Sequence, residues 1–264
     1  CVGAIRVKDM QPASDDIDNM RAAMTAAPPV EGFMNAASPG VIALFQPNQH
    51  YATHEDYLMA LAEAMKAEYQ AIVDAGLVLQ LDSPDLGLGR HMMFKGKPDS
   101  DYIAQATLHV EALNMALEGI PRDRVRLHVC WGNYEGPHHH DAPMELVLPI
   151  ALKADIGALR FESSNPRHAH EWEVFANTDL PEDLVLIPGV LDSTTNFVEH
   201  PKLVAERICR YAGSVGRDLV MAGTDCGCST FAGGGAVDEN IGDAKLASMA
   251  EGAARASDQL WGSA

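Results

Sequence analysis

A histidine and a cysteine separated by one residue, His128 and Cys130, are the first candidates for chemistry in this chain. The segment 124–130 around them is mostly apolar and is predicted to be a β-strand, in which alternate side chains point to the same face. The imidazole and the thiol could therefore bind one metal ion together. Taken alone, the pair favours a simpler alternative, which is a buried thiol beside a hydrogen-bonded core histidine.

Two further residues of ligand type lie at the ends of other predicted strands. Glu162 ends the strand predicted at 156–162, and Cys226 follows the last predicted strand in the segment Asp225-Cys226-Gly227. If these strand ends meet at one mouth, an imidazole, two thiols and a carboxylate come together, and these are zinc ligands by type. Cys228 is an alternative ligand to Cys226, whereas Cys209 lies among apolar helical residues and is most simply part of the core.

The elements that would position these residues alternate between short apolar runs and longer stretches of helical period. This pattern is typical of an α/β fold with a parallel sheet. A doubly wound open sheet is possible, but polar residues crowd the strand ends, which favours a (β/α)8-type TIM barrel with its active site there. No linker divides the chain, so we expect a single domain over residues 1–264. The predicted strands are 40–45, 77–82, 124–130, 156–162, 184–191 and 219–224, and the predicted helices are 55–75, 99–117, 200–212 and 243–260.

Composition excludes several classes of protein. The 264 residues include 19 basic and 37 acidic side chains, a net charge of −18, which disfavours nucleic acid and anionic membrane surfaces as partners. We find no run of about 18 apolar residues and no signal peptide, so we expect a soluble cytoplasmic protein. The 5 cysteines are too few for a disulfide scaffold and favour metal or thiol chemistry.

The ligand types separate two kinds of zinc chemistry. Zinc can generate a nucleophile from water, or it can hold a substrate thiol as thiolate at neutral pH. Hydrolytic zinc sites more often use histidine and carboxylate ligands. Two protein thiolates beside Glu162 weaken the Lewis acidity of the metal, which favours alkylation of a thiol over hydrolysis.

These motifs resemble the catalytic barrel of cobalamin-independent methionine synthases and their relatives, which include the epoxyalkane:coenzyme M transferases. The family pattern of His-x-Cys, then Glu, then Asp-Cys-Gly matches His128, Cys130, Glu162 and Asp225-Cys226-Gly227. The resemblance implies a Zn²⁺ site formed by His128, Cys130, Glu162 and Cys226, in which the carboxylate can exchange for substrate sulfur. It also implies a barrel of the methionine synthase and uroporphyrinogen decarboxylase type.

The resemblance extends over almost the whole chain, in order, as far as Cys228. In it, Leu79-Gln80-Leu81-Asp82-Ser83-Pro84 matches a strand end whose aspartate holds the amino group of homocysteine, so Asp82 would anchor the acceptor. The alternative for Asp82 is a turn aspartate before Pro84. The six predicted strands correspond to the third to eighth strands of the family barrel. The first two βα units would then be lacking, and Cys1 would be an internal residue of a longer protein.

Departures from the family pattern concern the alkyl donor. The family histidine that protonates a folate leaving group is replaced here by Thr194, which cannot supply a proton near neutral pH as an imidazole can. Phe45-Gln46-Pro47 stands where a tryptophan would flank a pterin. These departures disfavour a folate as the alkyl donor and leave it as one of the alternatives. The insertion Gly136-Pro137-His138-His139-His140-Asp141 has no counterpart in the methionine synthases, and we interpret it as a polar loop or a second metal or proton-relay site.

Three further residues complete the predicted site. Gln46 is predicted to bind substrate, and Arg167 could clamp a carboxylate or sulfonate, unless it is a solvated charge in a helix-entry turn. Asp192 is either a partner of the zinc ligands or a helix cap. The predicted catalytic residues are Asp82, Asp192 and Thr194; the predicted substrate-binding residues are Asp82, Arg167 and Gln46.

The sequence thus predicts a zinc-dependent transferase that moves a methyl group to a small-molecule thiol, as in the conversion of homocysteine to methionine. One alternative is the opening of an epoxide by a sulfonated thiol such as coenzyme M. Another is a non-catalytic or decarboxylase-like barrel, for which Arg90, Arg160 and Arg167 are the plausible arginines at the mouth.

Overall fold

The computed structural model describes residues 1–229, 233 and 237–262. The described chain divides into two compact units. The first comprises Cys1–Val129 and Leu146–Gly157, and the second comprises Cys130–Glu145 and the described chain from Ala158 onward.

Three parallel strands form the sheet of the first unit, in the order β1-β2-β3. Phe33 is paired with Val78, and Asp82 is paired with His128, so the carboxyl ends of β2 and β3 lie at the same edge. The elements, in chain order, are α1 (Gln11–Ala26), β1 (Phe33–Ala37), α2 (Pro39–Phe45), α3 (His54–Asp74), β2 (Val78–Asp82), α4 (Gly89–Met93), α5 (Asp99–Ala116), β3 (Val125–Val129) and α6 (Met144–Ala151), most of which belongs to this unit.

The strand predicted at 40–45 is wrong, because these residues form helix α2. Ser38 has extended backbone angles and its Oγ accepts a hydrogen bond from Val41 N at 3.0 Å, while Pro39 occupies the first helical turn. A Ser-Pro pair of this kind starts a helix. The first strand lies instead at Phe33–Ala37, which has no β-branched residue to signal it.

Helix α3 confirms the helix predicted at 55–75. Thr53 Oγ1 accepts a hydrogen bond from Asp56 N at 3.0 Å at the amino end. Gly76, just beyond the carboxyl end, has φ of +83°, a conformation that glycine adopts without strain. The cap fixes His54 as the first residue of the helix.

The second unit contains three more parallel strands, in the order β4-β5-β6. Its core includes Val190 and Leu191 of the sheet, with Val204 and Ile208 of a helix packed against them. The strand predicted at 219–224 is shorter than expected. Leu219 ends a 3-10 helix, Val220 makes only an isolated bridge to Leu186, and the strand itself spans Gly223–Thr224. The elements are β4 (Ala158–Phe161), α7 (Trp172–Ala176), β5 (Val185–Leu191), α8 (Pro201–Val215), β6 (Gly223–Thr224) and α9 (Glu239–Trp261).

The described residues thus contain six parallel strands in chain order, the α/β arrangement that the sequence predicts. Among the described helices, none combines the length and the apolar composition that crossing a bilayer requires.

Candidate metal centre

Two buried cysteines meet in the second unit. Cys130 directly follows β3, and Cys226 lies two residues beyond β6; each is about 5% exposed. Their Sγ atoms lie within 4.8 Å of each other. Ser193 Oγ accepts a hydrogen bond from Cys226 N at 3.1 Å, which fixes the backbone that carries the second thiol.

His128 precedes Cys130 by two residues along β3 and is also buried. A ring nitrogen of His128 lies within 4.8 Å of Cys130 Sγ, as the two-residue period of a strand predicts. Asp82, at the end of the paired strand β2, has Oδ1 4.0 Å from His128 Nε2. The end of β3 therefore presents an imidazole and a thiol, both of metal-ligand type, two residues apart.

Glu162 lies beside the thiols, and other groups already bind its carboxylate. Its Oε1 accepts a hydrogen bond from Trp131 N at 2.9 Å and lies 3.9 Å from Cys226 Sγ. Its Oε2 accepts hydrogen bonds from Asn165 Nδ2 at 2.8 Å and from Arg167 at 2.6 Å. The carboxylate is held next to the Cys226 thiol, with its charge balanced by Arg167.

Asp225 ties together the loops that carry Glu162 and Cys226. Its carboxylate accepts hydrogen bonds from Ser163 N, Ser164 N and both the backbone and side-chain nitrogens of Asn165, at 2.8–2.9 Å. A side chain on Gly189 of β5 would overlap this carboxylate, so glycine is required there. The Asp-Cys-Gly motif thus supplies a structural anchor as well as a thiol.

The ionisable groups around the two thiols favour the binding of a cation. The hydrogen bond with the Cys130 thiol, together with burial, raises the pKa of Cys226 well above its ordinary value. Burial and the charge of Glu162 raise the pKa of Asp225 to about 7, although hydrogen bonds from Ser163 N, Ser164 N and the Asn165 side chain oppose this. Thiols that stay protonated are poor ligands, and a bound divalent cation is what converts such a pair to thiolates. The donor set therefore fits a thiophilic metal.

Comparison with known proteins shows which family the chain belongs to. The family model described as "Cobalamin-independent synthase, Catalytic domain" matches residues 6–251. The chain belongs to this family. A 2-hydroxypropyl-CoM lyase from Xanthobacter autotrophicus is 27% identical over 71% of this chain and 54% of its own length. A methionine synthase from Saccharolobus islandicus is 26% identical over 81% of this chain and 55% of its own. The chain spans about half the length of the curated relatives it matches.

A solved structure shows the fold of the family. The B12-independent methionine synthase from Shewanella sp. W3-18-1, solved in complex with selenomethionine, superposes with a TM-score of 0.71 at 18% identity. The match covers 94% of this chain and 67% of that one. The predicted TIM-barrel fold class of the methionine synthases is therefore confirmed.

Asp82 and Gln46, the two residues of the first unit that were predicted to bind substrate, lie at the ends of different kinds of element, a strand and a helix. Asp82 ends β2, and its side chain is 51% exposed. Gln46 follows helix α2 and is exposed, so its predicted position at a strand end is wrong. The Gln46 carbonyl accepts a hydrogen bond from Tyr57 OH at 2.7 Å, beside a cavity of about 400 Å³.

Asp192 and Thr194 form a turn after β5. Asp192 Oδ1 accepts hydrogen bonds from Thr194 N and Thr194 Oγ1 at 2.8 and 2.9 Å. Helix α8 begins only at Pro201, so Asp192 caps a turn, and its alternative role as a helix cap is wrong. The Thr194 hydroxyl is thus the donor of a hydrogen bond to this carboxylate.

Several residues that support the site were not predicted from the sequence. The ring of Trp131, which directly follows Cys130, stacks on His168 with centroids 3.8 Å apart. His168 Nδ1 bonds Glu171 at 2.8 Å, and its Nε2 bonds Asp141 at 3.2 Å. The Asp141 carboxylate also bonds His138 Nδ1 at 2.9 Å, whereas His139 and His140 are exposed. The inserted loop is therefore attached to the thiol site through His168.

His168 makes stability depend on pH. Burial alone would lower its pKa, but the hydrogen bonds to Asp141 and Glu171 raise it to about 9. Because the folded-state value exceeds the ordinary 6.5, the stabilisation is complete below pH 6.5 and is lost as the pH rises through 9. We expect His168→Gln to lower the free energy of unfolding at pH 6.5 by about 2–3 kcal/mol, with the difference shrinking towards pH 10. Urea unfolding across this range measures it. The exposed neighbour variant His170→Gln should match wild type, and a difference that does not change with pH would contradict the assignment.

Proposed function

We propose that this chain is a zinc-dependent enzyme that transfers a methyl or other alkyl group to the sulfur of a small thiol. The observation that carries the proposal is the pair of buried thiols, Cys130 and Cys226, with His128 two residues before the first. These three residues would hold Zn²⁺. When bound, the ion would lower the pKa of an acceptor thiol so that it reacts as thiolate near neutral pH.

Glu162 would complete the ligand set as a weak and exchangeable fourth ligand. Arg167 and Asn165 already bind Oε2, and Trp131 N binds Oε1. A carboxylate whose charge is shared with an arginine donates less to a metal than an unshared one. Arg167 would thus favour the exchange of Glu162 for the acceptor sulfur, while holding the released carboxylate in place.

Asp82 would orient the acceptor. Its half-exposed carboxylate lies at the same sheet edge as His128 and can accept hydrogen bonds from an ammonium group. An amino-acid thiol such as homocysteine carries that group. The acidic side chain therefore favours homocysteine over a sulfonated thiol, whose negative charge it would repel.

The relative named 2-hydroxypropyl-CoM lyase supports a second candidate, alkylation of coenzyme M by an epoxide. The Thr194 hydroxyl donates a hydrogen bond to Asp192, and a hydroxyl cannot supply a proton to a folate leaving group near neutral pH as the family histidine would. An epoxide carries its own leaving oxygen and does not require a folate. The two candidates share the thiol step and differ in acceptor and donor.

The test is consumption of a thiol by the zinc-loaded chain. Homocysteine or coenzyme M would each be incubated with methyltetrahydrofolate, its polyglutamate or epoxypropane, and thioether products followed by mass. We expect product with one acceptor, and none after the metal is removed by a chelator. Absence of product with every pair, in a chain that also fails to bind zinc, would overturn the proposal.

Asp82→Ala separates the two acceptors. We expect KM for homocysteine to rise about 10- to 100-fold, because a charge-assisted hydrogen bond is lost, while zinc content and kcat change little. KM for coenzyme M should stay the same or fall. Asp18→Ala removes an exposed carboxylate on α1 and serves as the control. An unchanged KM for homocysteine in the Asp82 variant would remove Asp82 from the acceptor site.

A further inference from the structure

The segment of the second unit that follows Cys130 is held firmly in place. The Trp131 ring is fully buried, and its Nε1 donates a hydrogen bond to the Ala142 carbonyl at 2.7 Å. Gly132 has φ of +100°, a left-handed conformation that lets the chain turn directly after Trp131. Asn133 comes next. Because only two residues separate it from Cys130, its position is tied to that of the Cys130 thiol.

The Asn133 amide bonds the segment that carries the other buried thiol. Its Nδ2 donates a hydrogen bond at 2.6 Å to the carbonyl of Gly227, which directly follows Cys226. Its Oδ1 accepts a hydrogen bond from Ser193 Oγ at 2.8 Å, and Ser193 Oγ accepts one from Cys226 N at 3.1 Å. We call these three hydrogen bonds the Asn133 clamp. The clamp reaches the backbone on both sides of the Cys226 side chain.

The partners of the clamp require an amide at position 133. A backbone carbonyl only accepts hydrogen bonds, so the NH2 group of Asn133 must face Gly227. Ser193 Oγ accepts the proton of Cys226 N and is left with its own hydroxyl proton, which it donates to Asn133 Oδ1. Every donor in the clamp therefore meets an acceptor. An alanine at this position would remove both bonds of the side chain.

Other groups hold Cys226 without reaching the segment of Cys130. Arg160 Nη2, on β4, donates a hydrogen bond to the Cys226 carbonyl at 3.4 Å, and Thr224 Oγ1 donates one to the same carbonyl at 2.6 Å. These bonds fix Cys226 to β4 and to its own strand. The clamp differs from them because its amide belongs to the Cys130 segment, so it joins the two segments that carry the thiols.

We propose that Asn133 is a positioning residue whose amide sets the spacing of the Cys130 and Cys226 thiols and thereby the affinity of the chain for its metal ion. This inference rests on the proposed function, which identifies that ion as zinc. A metal ion bound by two thiolates is held more tightly when both sulfur atoms are fixed before it arrives. Without the clamp, the Cys226 segment would gain freedom relative to Cys130, and the affinity would fall.

Asn133→Ala tests the proposal through zinc affinity, measured by competition with a chelator. We expect Kd for zinc to rise about 10- to 100-fold, the usual effect of removing a group that orients a metal ligand. Thermal unfolding of the zinc-free chain should stay near that of wild type, because Asn133 is partly exposed and water can bond the groups that it leaves. An unchanged Kd would overturn the proposal, and so would a loss of zinc affinity matched by lower stability of the zinc-free chain.

Asn177→Ala is the matched control. It removes an exposed amide of the same unit, directly after α7, whose Nδ2 donates a hydrogen bond to the Glu173 carbonyl at 2.7 Å. Zinc affinity and thermal unfolding of this variant should both equal those of wild type. Cobalt substitution adds a spectroscopic readout. The thiolate-to-cobalt absorption of Asn133→Ala should saturate at a higher cobalt concentration than in wild type and Asn177→Ala. Identical cobalt titrations of the three chains would contradict the positioning role.

A second measurement does not depend on zinc and separates this inference from the proposed function. Phenylarsine oxide forms two As–S bonds with a pair of neighbouring thiols, and its oxygen leaves as water with the two thiol protons. We expect the metal-free chain to bind one equivalent through Cys130 and Cys226, and Asn133→Ala to bind it about tenfold more weakly, because the effective concentration of one thiol near the other falls. The titration uses a background that lacks the other three thiols, Cys1→Ser, Cys209→Ser and Cys228→Ser.

The two measurements together assign any failure. If wild type binds the arsenical as expected but binds no zinc, the proposed function fails and the positioning role of Asn133 stands. Equal binding of the arsenical with and without the Asn133 amide would overturn the positioning role and leave the proposed function untouched.

Discussion

Cys226→Ser is expected to bind almost no zinc. A serine hydroxyl is not ionised near neutral pH, so the variant loses one of two thiolates from the proposed ligand set. We expect zinc per chain to fall from about one equivalent to below a tenth after dialysis, and thiol alkylation to fall at least about 1,000-fold, since in the proposed mechanism zinc would activate the acceptor. Elemental analysis and the thioether assay measure the two effects.

Two other cysteines provide matched controls for this prediction. Cys209 lies on α8, partly buried against the core, with its Sγ 3.5 Å from Gln259 Oε1. Cys228 follows Cys226 by two residues and is partly exposed. Both Cys209→Ser and Cys228→Ser should keep zinc. If Cys228→Ser loses the metal and Cys226→Ser keeps it, the alternative ligand of the same segment is correct.

The parts of the site that could be predicted from the sequence depend on local geometry. The spacing of His128 and Cys130 fixes their common face because strand period acts over two residues. The apolar run at 40–45 is too short to distinguish a strand from a helix. Ser38-Pro39 is a helix start, and the segment is therefore helical. A helix-start signal outweighs apolar character in a segment this short.

Contacts between distant loops could not be predicted. Glu162 was expected as a ligand, yet nothing in its neighbouring residues signals that Trp131 N and Arg167 share its carboxylate. The hydrogen-bond partners of His168 could not be predicted for the same reason. Its partners are Glu171, three residues on, and Asp141, in a separate loop. Such networks depend on loop conformations that have no periodic signature.

Removing the carboxylate of Asp225 is expected to produce the largest loss of stability. Its two oxygens accept four hydrogen bonds, from Ser163 N, Ser164 N and two nitrogens of Asn165, all of them buried. Each buried donor left without a partner costs about 1–3 kcal/mol. We expect Asp225→Ala to lower the free energy of unfolding by about 4 kcal/mol or more, measured by urea unfolding.

Asp225→Asn should show an intermediate loss, because its amide oxygen can still accept from Ser163 N and Ser164 N but its NH2 group would face two donors of Asn165. Asp179→Ala, which removes an exposed carboxylate of the second unit, should leave stability unchanged. The Asp225 variants should also bind zinc more weakly, since the same hydrogen bonds hold the loop after Glu162 against the segment that carries Cys226. An Asp225→Ala chain as stable as wild type would show that these donors find other partners. Weak zinc binding by a stable Asp225→Asn chain would instead separate the role of Asp225 in positioning Cys226 from its role in folding.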